Sequence, residues 1–485
     1  MGRVVVLGAG ISGHTAALFL KRHLGKHHEV VVVSPKPTYN WIPSNIWVGV
    51  GLMKPKQVLV DLHKVYKKSG IEFRQARATA IWPEGGKDHT TPFVEFAYTD
   101  DARLDQMDTL EYDYLINATG PKLNFDATPG LDPIHGNSLS VCTPSHALEA
   151  SEHLQECVER MRRGERQKFI IGTGHGQATC QGAAFEYALN LEFMLRQWRV
   201  RDRADIVWMS NEYCLGDFGM GGLYLKQGGY VTHSKIFAES LYKERGLGWI
   251  LQAHAKQVDR GQVHYTNLDG DERTEHADFM MLIPPFSGVG LDAFDRQGNT
   301  ITEKLFAPNG FMRVDADYTP RDYTEWTADD WPKTYQNRDY SNIYAIGIAF
   351  APPHAISRPR KSPDGTPIFA TAPRTGMPSA MIGRAVAETI ADKMRGRDRP
   401  AHCASMARMG AACVASAGAS PFTGTAVSMT VFPIIPDFEA YPEYGRDLRH
   451  TTGEIGLAGH WIKSILHHMF IYKAKAKPGW WMIPE

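Results

Sequence analysis

Cys180 is the residue whose setting in the sequence most favours chemistry. It follows Gly172-Thr173-Gly174-His175-Gly176-Gln177-Ala178-Thr179 and opens a long stretch with helical character that runs to about Arg196. A thiol in the first turn of a helix meets unpaired N–H groups and the positive end of the helix dipole. Both lower its pKa and favour the nucleophilic thiolate. His175 adds positive charge there if it is protonated. The chemistry this offers is redox or covalent catalysis by a thiolate. The competing expectation, the commonest fate of a free cysteine, is a small buried hydrophobe. Of the six cysteines, Cys157 falls mid-helix and Cys214 in a glycine-rich turn, which reads as structural, and Cys403 and Cys413 carry no clear sign of a role. Cys142 lies in Ser138-Leu139-Ser140-Val141-Cys142-Thr143-Pro144, just ahead of a charged helix over 144–163. No two cysteines form a CxxC pair and the histidine pairs lack ligand spacing, so no metal site is expected.

The element that must position this chemistry is an α/β core, and it starts at the first residues. Arg3-Val4-Val5-Val6-Leu7 reads as a buried strand, Gly8-Ala9-Gly10-Ile11-Ser12-Gly13 as a glycine turn, 16–24 as a helix, and Val30 to Val33 as a second strand. Gly8 permits the tight turn, Gly10 lets backbone approach a pyrophosphate, and Gly13 lets helix and strand pack closely. A dinucleotide phosphate then rests on the helix N-terminus. The extreme N-terminal placement makes FAD the first expectation. The carboxylate that usually ends the second strand is replaced by Ser34, whose hydroxyl can still bond a ribose. The loop after it, from Pro35 through Trp41 to Ser44, leaves the strand end where ligands bind in such sheets. Tyr114 to Asn117 running into Ala118-Thr119-Gly120 resembles the second FAD contact of two-dinucleotide-domain flavoproteins, Asn342 to Ile346 running into Gly347 resembles the third, with Ile348 where that motif has an Asp, and Thr375-Gly376 opens a helix to about Met394. These residues (Gly8, Gly10, Ser12, Gly13, Ser34, Pro35, Ser44, Ala118, Thr119, Gly120, Gly347, Thr375 and Gly376) form the expected cofactor site.

Lys168 to Ile171 and the glycine turn after it form a second βαβ start, but an altered one. Gln177 stands at the third glycine position, and the following strand, 205–209, ends at Ser210, with Glu212 a weak substitute for the missing acid. This argues against NAD(P)H there. The fold class is therefore α/β: two Rossmann-like dinucleotide-binding domains, one split, plus a C-terminal strand segment and an amphipathic helix at a membrane interface. The expected boundaries are 1–166 with 301–400 for the FAD domain, 167–300 for the second, and 401–485 for the membrane-association region.

Lys+Arg and Asp+Glu are both 53, so there is no global basic field to attract nucleic acid. Six cysteines in 485 residues do not make a disulfide scaffold. No apolar run reaches the roughly 20 residues of a membrane span. Over 454–473, Leu457, Ala458, Trp461, Ile462, Ile465, Leu466, Met469 and Phe470 follow helical spacing, with His460, Lys463, Ser464 and His467 opposite. Lys473, Lys475, Lys477 and the pair Trp480-Trp481 follow. A wide apolar face, basic flank and paired tryptophans describe a helix lying in a membrane surface. The competing expectation is a helix packed on its own core. A monotopic protein is expected, on the cytoplasmic face since no export signal is seen, and as a homo-oligomer.

Taken together, Gly8-Ala9-Gly10, Ala118-Thr119-Gly120, Ser140-Val141-Cys142-Thr143-Pro144, the turn reaching Cys180, Ile283-Pro284-Pro285-Phe286, Pro373-Arg374-Thr375-Gly376 and the amphipathic tail resemble the sulfide:quinone oxidoreductases, monotopic flavoproteins with two dinucleotide-binding domains. The resemblance covers nearly the whole chain. It implies FAD, a sulfide or small sulfur substrate, and a membrane quinone as electron acceptor. It implies that Cys180 is the active cysteine and that Cys142 lies by the flavin. It makes Phe286, Met377 and Trp461 candidates for the quinone slot. One departure stands out. The family's other bridging cysteine falls around Tyr344 to Pro353, where this sequence has none. Cys142 or a cysteine of the tail is left to pair with Cys180. Two alternatives remain at this point: an NADH:quinone oxidoreductase of similar architecture, and a non-catalytic flavoprotein subunit that relays electrons.

Overall fold

The computed structural model describes residues 2–87, 89–373, 375–418 and 423–485. Arg374 of the Pro373–Gly376 motif lies outside them. Five strands run parallel in the order Ile343–Ala345, Tyr114–Asn117, Arg3–Leu7, Glu29–Ser34, Glu72–Trp82. Val4 to Leu7 and Val30 to Val33 are buried, as the unbroken apolar runs require of a sheet covered on both faces. Phe93–Tyr98 and Met107–Glu111 extend this sheet in antiparallel fashion. Arg3–Leu7 has the strand that follows it on one side and the much later Tyr114–Asn117 on the other. The crevice at its C-terminal end is thus the topological switch point, where open α/β sheets bind ligands. The helix Ile11–Leu24 packs against Gly376–Met394 so closely that a Cβ on Gly383 would meet the Ser12 carbonyl oxygen at 2.5 Å. The chain therefore returns to its first sheet after a long excursion.

That excursion holds a second parallel sheet, ordered Leu247–Ile250, Ala204–Met209, Gln167–Thr173, Phe279–Ile283. The helix Gln181–Gln197 packs on it. A third sheet joins Ala411–Ala417, Thr425–Val431 and Thr452–Gly456 to the hairpin Tyr224–Gln227 and Tyr230–His233. The C-terminal strands thus share a sheet with residues from the middle of the chain. The helix expected over 231–245 begins at Ser234, because the alternating Tyr230–His233 pairs with its neighbour first. The C-terminal helix spans Leu457–Ala474 and is preceded by a strand, not by more helix.

Candidate functional site

At the first glycine turn the protein leaves room for a ligand. Gly8 has φ +99°, and a Cβ there would meet the Ala118 carbonyl oxygen at 2.3 Å. A Cβ on Gly13 would meet the Gly8 carbonyl oxygen at 2.2 Å. These two glycines are required by the turn itself. Gly10 differs: nothing stands within 4 Å of where its Cβ would be. The helix that follows has no side-chain cap and no acid in its first turn, so its N–H groups face that open space. Ala118, Thr119 and Gly120 flank the turn, and the Thr119 hydroxyl and N–H both donate to Asn117 Oδ1, which fixes their loop. Gly347, with φ +65°, comes so near Ser12 that a Cβ would meet Ser12 Oγ. Gly376 lies against Ile11, where a Cβ would be 3.0 Å from its Cδ1. Thr375 precedes the uncapped helix Gly376–Met394, so two helix N-termini converge on one crevice. These residues leave a crevice that could hold a flavin cofactor, with the open side of Gly10 and the uncapped starts of both helices turned toward it. Ser34 is buried at its strand end, and Pro35 is exposed beside it. Ser44 is engaged elsewhere, its hydroxyl 2.8 Å from His467 Nδ1 of the C-terminal helix.

The second glycine turn is filled by the chain itself. The Gly176 N–H donates to His254 Nδ1 at 2.9 Å, and the Gln177 N–H to His175 Nδ1 at 3.0 Å. The proline-rich segment after 352 lies directly over the turn. Phe369 N–H donates to the Gly176 carbonyl at 2.9 Å, Thr371 N–H to that of Ala178 at 3.3 Å, and a Cβ on Gly176 would strike the Pro367 carbonyl oxygen at 2.3 Å. Asn211 ties these pieces together, its Nδ2 donating to the carbonyls of Gly176, Ala178 and Phe369. Glu212 is fully buried, accepting from Trp208 Nε1, the Ser210 hydroxyl and the Phe218 N–H. Burial, aided by nearby Asp217, raises its pKa to about 7. It offers nothing to a ribose. Asn211 was not singled out from sequence; its only signal was its place after the strand end where an acid is expected.

The helix behind this turn starts late. Cys180 is its N-cap, in left-handed conformation with φ +66°, and Gln181 is the first helical residue. His175 adds no positive charge, contrary to the expectation from sequence. Burial, together with the neighbouring His254, depresses its pKa to about 4, and the ring accepts a hydrogen bond as a neutral base. Cys142 stands just before Thr143, the N-cap of Pro144–Arg162, and burial pushes its thiol pKa up. Cys157 is buried with its pKa raised to about 12, in keeping with a structural role. Among the described residues, no two cysteines form a disulfide.

The C-terminal helix faces the opposite way from a core helix. Trp461, Ile462 and Ile465 are 48%, 47% and 55% exposed, while His460 and His467 are 0% and 4%. Lys463 points inward, its Nζ 3.0 Å from Glu186 Oε2 on the helix that begins after Cys180. Glu186 Oε1 in turn accepts from the Ser416 N–H and hydroxyl. At the far end, Ala474 O accepts from His14 Nε2 at 2.9 Å, which leaves His14 Nδ1 to accept from the Tyr66 hydroxyl. The polar stripe is thus a set of anchors to both dinucleotide-binding domains, and the apolar stripe is left outside. Trp41 stacks on Phe470 at 4.5 Å, which sets the exposed Ile42 beside that stripe. Among the described residues, no helix is long and apolar enough to cross a membrane. The three expected quinone residues have separate settings: Trp461 on the outward face, Met377 in the first turn of Gly376–Met394, and Phe286 in a short strand paired with Leu123.

The fold is that of an oxidoreductase with two Rossmann-like domains, and among the described residues the second glycine turn is covered by the chain itself. Residues 2–176 match the model of the pyridine nucleotide-disulphide oxidoreductase family. Over nearly its whole length the chain is similar to a sulfide-quinone reductase. It is 28% identical to the sulfide-quinone reductase of Aquifex aeolicus over 97% of this chain and 91% of that one. The crystal structure of the Aquifex aeolicus sulfide:quinone oxidoreductase superposes with a TM-score of 0.74 at 26% identity, covering 98% of this chain and 92% of that one. An external alternative NAD(P)H-ubiquinone oxidoreductase of Arabidopsis thaliana is 27% identical, but over only 35% of this chain and 28% of its own length.

Proposed function

We propose that this protein is an FAD-dependent oxidoreductase that takes electrons from sulfide, or another small sulfur nucleophile, and delivers them to a membrane quinone. The observation that carries the reading is the closure of the second glycine turn by residues 367–371 and Asn211, with a cysteine at the helix start behind it. A nicotinamide donor has no seat there, whereas a thiol does. Near-complete coverage of the Aquifex aeolicus enzyme, against the partial match to NAD(P)H-ubiquinone oxidoreductases, supports the same choice. A bound flavin supplies the two-electron acceptor. The chain's own residues hold its phosphates at Gly8–Gly13, present Cys180 as nucleophile, and keep the donor side dry under the proline-rich segment. The flavin domain, in this reading, comprises 1–166 with 301–400, the second domain 167–300, and the membrane-association region 401–485. The outward stripe of Leu457, Trp461, Ile462 and Ile465 seats the protein in one leaflet of a bilayer without spanning it, on the cytoplasmic face and as a homo-oligomer.

Stopped-flow mixing of the purified protein with sulfide bleaches the flavin, and mixing with NADH does not; bleaching by NADH alone overturns the reading. Cys180→Ser abolishes the sulfide response while flavin stays bound. The double variant Ile462→Asp, Ile465→Asp floats with lipid vesicles no longer, although its soluble-quinone activity persists.

A further inference from the structure

The segment from Tyr344 to Pro353 contains no cysteine, yet a sulfur-bridging reaction needs a second thiol. The structure brings one to the Cys180 helix from an unexpected direction. The strand Ala411–Ala417 packs on the helix Gln181–Gln197. Cys413 Sγ lies 3.7 Å from the point where a Cβ on Gly182 would stand, only two residues past Cys180. Residue 182 is glycine, and among the described residues no atom other than Cys413 Sγ stands within 4 Å of where its Cβ would be. Cys142 is the other candidate. Its neighbour Val141 meets the same helix at Tyr187, with both residues crowding Gly49. That is five residues past Gly182, or about 7.5 Å at the helical rise. Cys413 is also accessible, while having Glu186 and Lys463 as charged neighbours.

We propose that Cys413 is the redox partner of Cys180, the two thiols forming a bridge that carries sulfur between them. This rests on the sulfide-oxidising reading above. Starting from the Cys180–Cys413 disulfide, HS⁻ attacks one sulfur; one S–S bond forms, the original one breaks, and the products are a cysteine persulfide and a cysteine thiolate. Reclosure joins the thiolate to the persulfide sulfur as a trisulfide, releasing one proton and two electrons to a bound flavin. The outward position of Cys413, beside the buried Lys463–Glu186 pair under the C-terminal helix, places this chemistry between the helix start and the membrane face.

The test is peptide mapping of the flavin-loaded protein after oxidation with diamide and alkylation of the remaining thiols. The peptides containing Cys180 and Cys413 are expected to appear as one linked species, released by dithiothreitol and heavier by whole sulfur atoms after exposure to sulfide. Full alkylation of Cys413, or linkage of Cys180 to Cys142, overturns the proposal. Cys413→Ser is expected to keep bound flavin and to lose bleaching by sulfide; undiminished bleaching also overturns it. A linked pair in a protein that sulfide does not bleach upholds the bridge while refuting sulfide as substrate.

Discussion

The two glycine turns of this chain begin alike and end as opposites. Each follows a buried parallel strand, and each has a glycine whose Cβ would strike the neighbouring strand's end: Gly8 against Ala118 O, Gly172 against Met209 O. After the first, the helix starts at Ile11 and its N-terminus faces open space at Gly10. After the second, the helix waits until Gln181, and the intervening residues bond to His254, His175, Asn211, Phe369 and Thr371. A glycine turn is therefore permission for close approach and not evidence of a ligand. What approaches the first is left to a cofactor; what approaches the second is the protein's own loop. The delay also frees the residue at the helix start from holding phosphate, and that residue is Cys180.

The largest effects are expected where the two turns differ most. Gly10→Val adds a side chain where the protein has no atoms within 4 Å, so the fold should persist while FAD binding is lost. Gly176→Val adds one where Pro367 O stands 2.3 Å away, so flavin should remain bound while the overlying segment is displaced. Flavin absorbance after gel filtration, read beside thermal melts, separates the two. If both variants lose flavin with equal destabilisation, the contrast between an open and a filled turn is wrong.

Asn211→Ala tests the closure at its hinge. It strips two buried carbonyls and one half-buried one of a shared donor and should cost about 1–3 kcal/mol, a typical penalty for buried groups left unpaired. Denaturant unfolding measures this. NADH should still fail to bleach the flavin, because Glu212 stays buried; gain of NADH reactivity in Asn211→Ala would mean the segment alone bars a nucleotide.

Much of this was legible in the sequence, for identifiable reasons. Unbroken runs such as Val4 to Leu7 and Val30 to Val33 can only be parallel strands covered on both faces, and the glycine spacing marks the crossover between them. The helices Pro144–Arg162 and Gly376–Met394 carry their start signals in Thr143-Pro144 and Thr375-Gly376. What was not legible depends on long-range pairing. Nothing local reveals that residues 367–371 lie on the turn at 174–178, that Ser44 bonds to His467, or that Cys413 reaches Gly182. The C-terminal helix shows the same limit from another side. Its two stripes are plain in the spacing, but which one meets the protein is decided by partners such as Glu186, over 270 residues away.

The subtlest expectation concerns protons at the closed turn. Glu212 has its pKa raised by burial from the ordinary 4.5 to about 7 in the folded protein. The folded state therefore binds this proton more tightly than the unfolded chain does, so the contribution to stability is full below about pH 4.5 and is lost as pH rises through about 7. A shift of this size corresponds to roughly 3 kcal/mol at most, and relaxation around a buried acid makes about 1–2 kcal/mol the expected reading. The first unit has no matching group, since its corresponding strand ends at Ser34. Glu212→Gln, which keeps an acceptor for the Phe218 N–H but cannot ionise, should flatten the fall in stability between pH 5 and 7.5, whatever its constant cost. A pH profile with the wild-type slope would show that Glu212 is already ionised in the fold, with a compensating donor at Ser210 or Trp208 stronger than its burial implies.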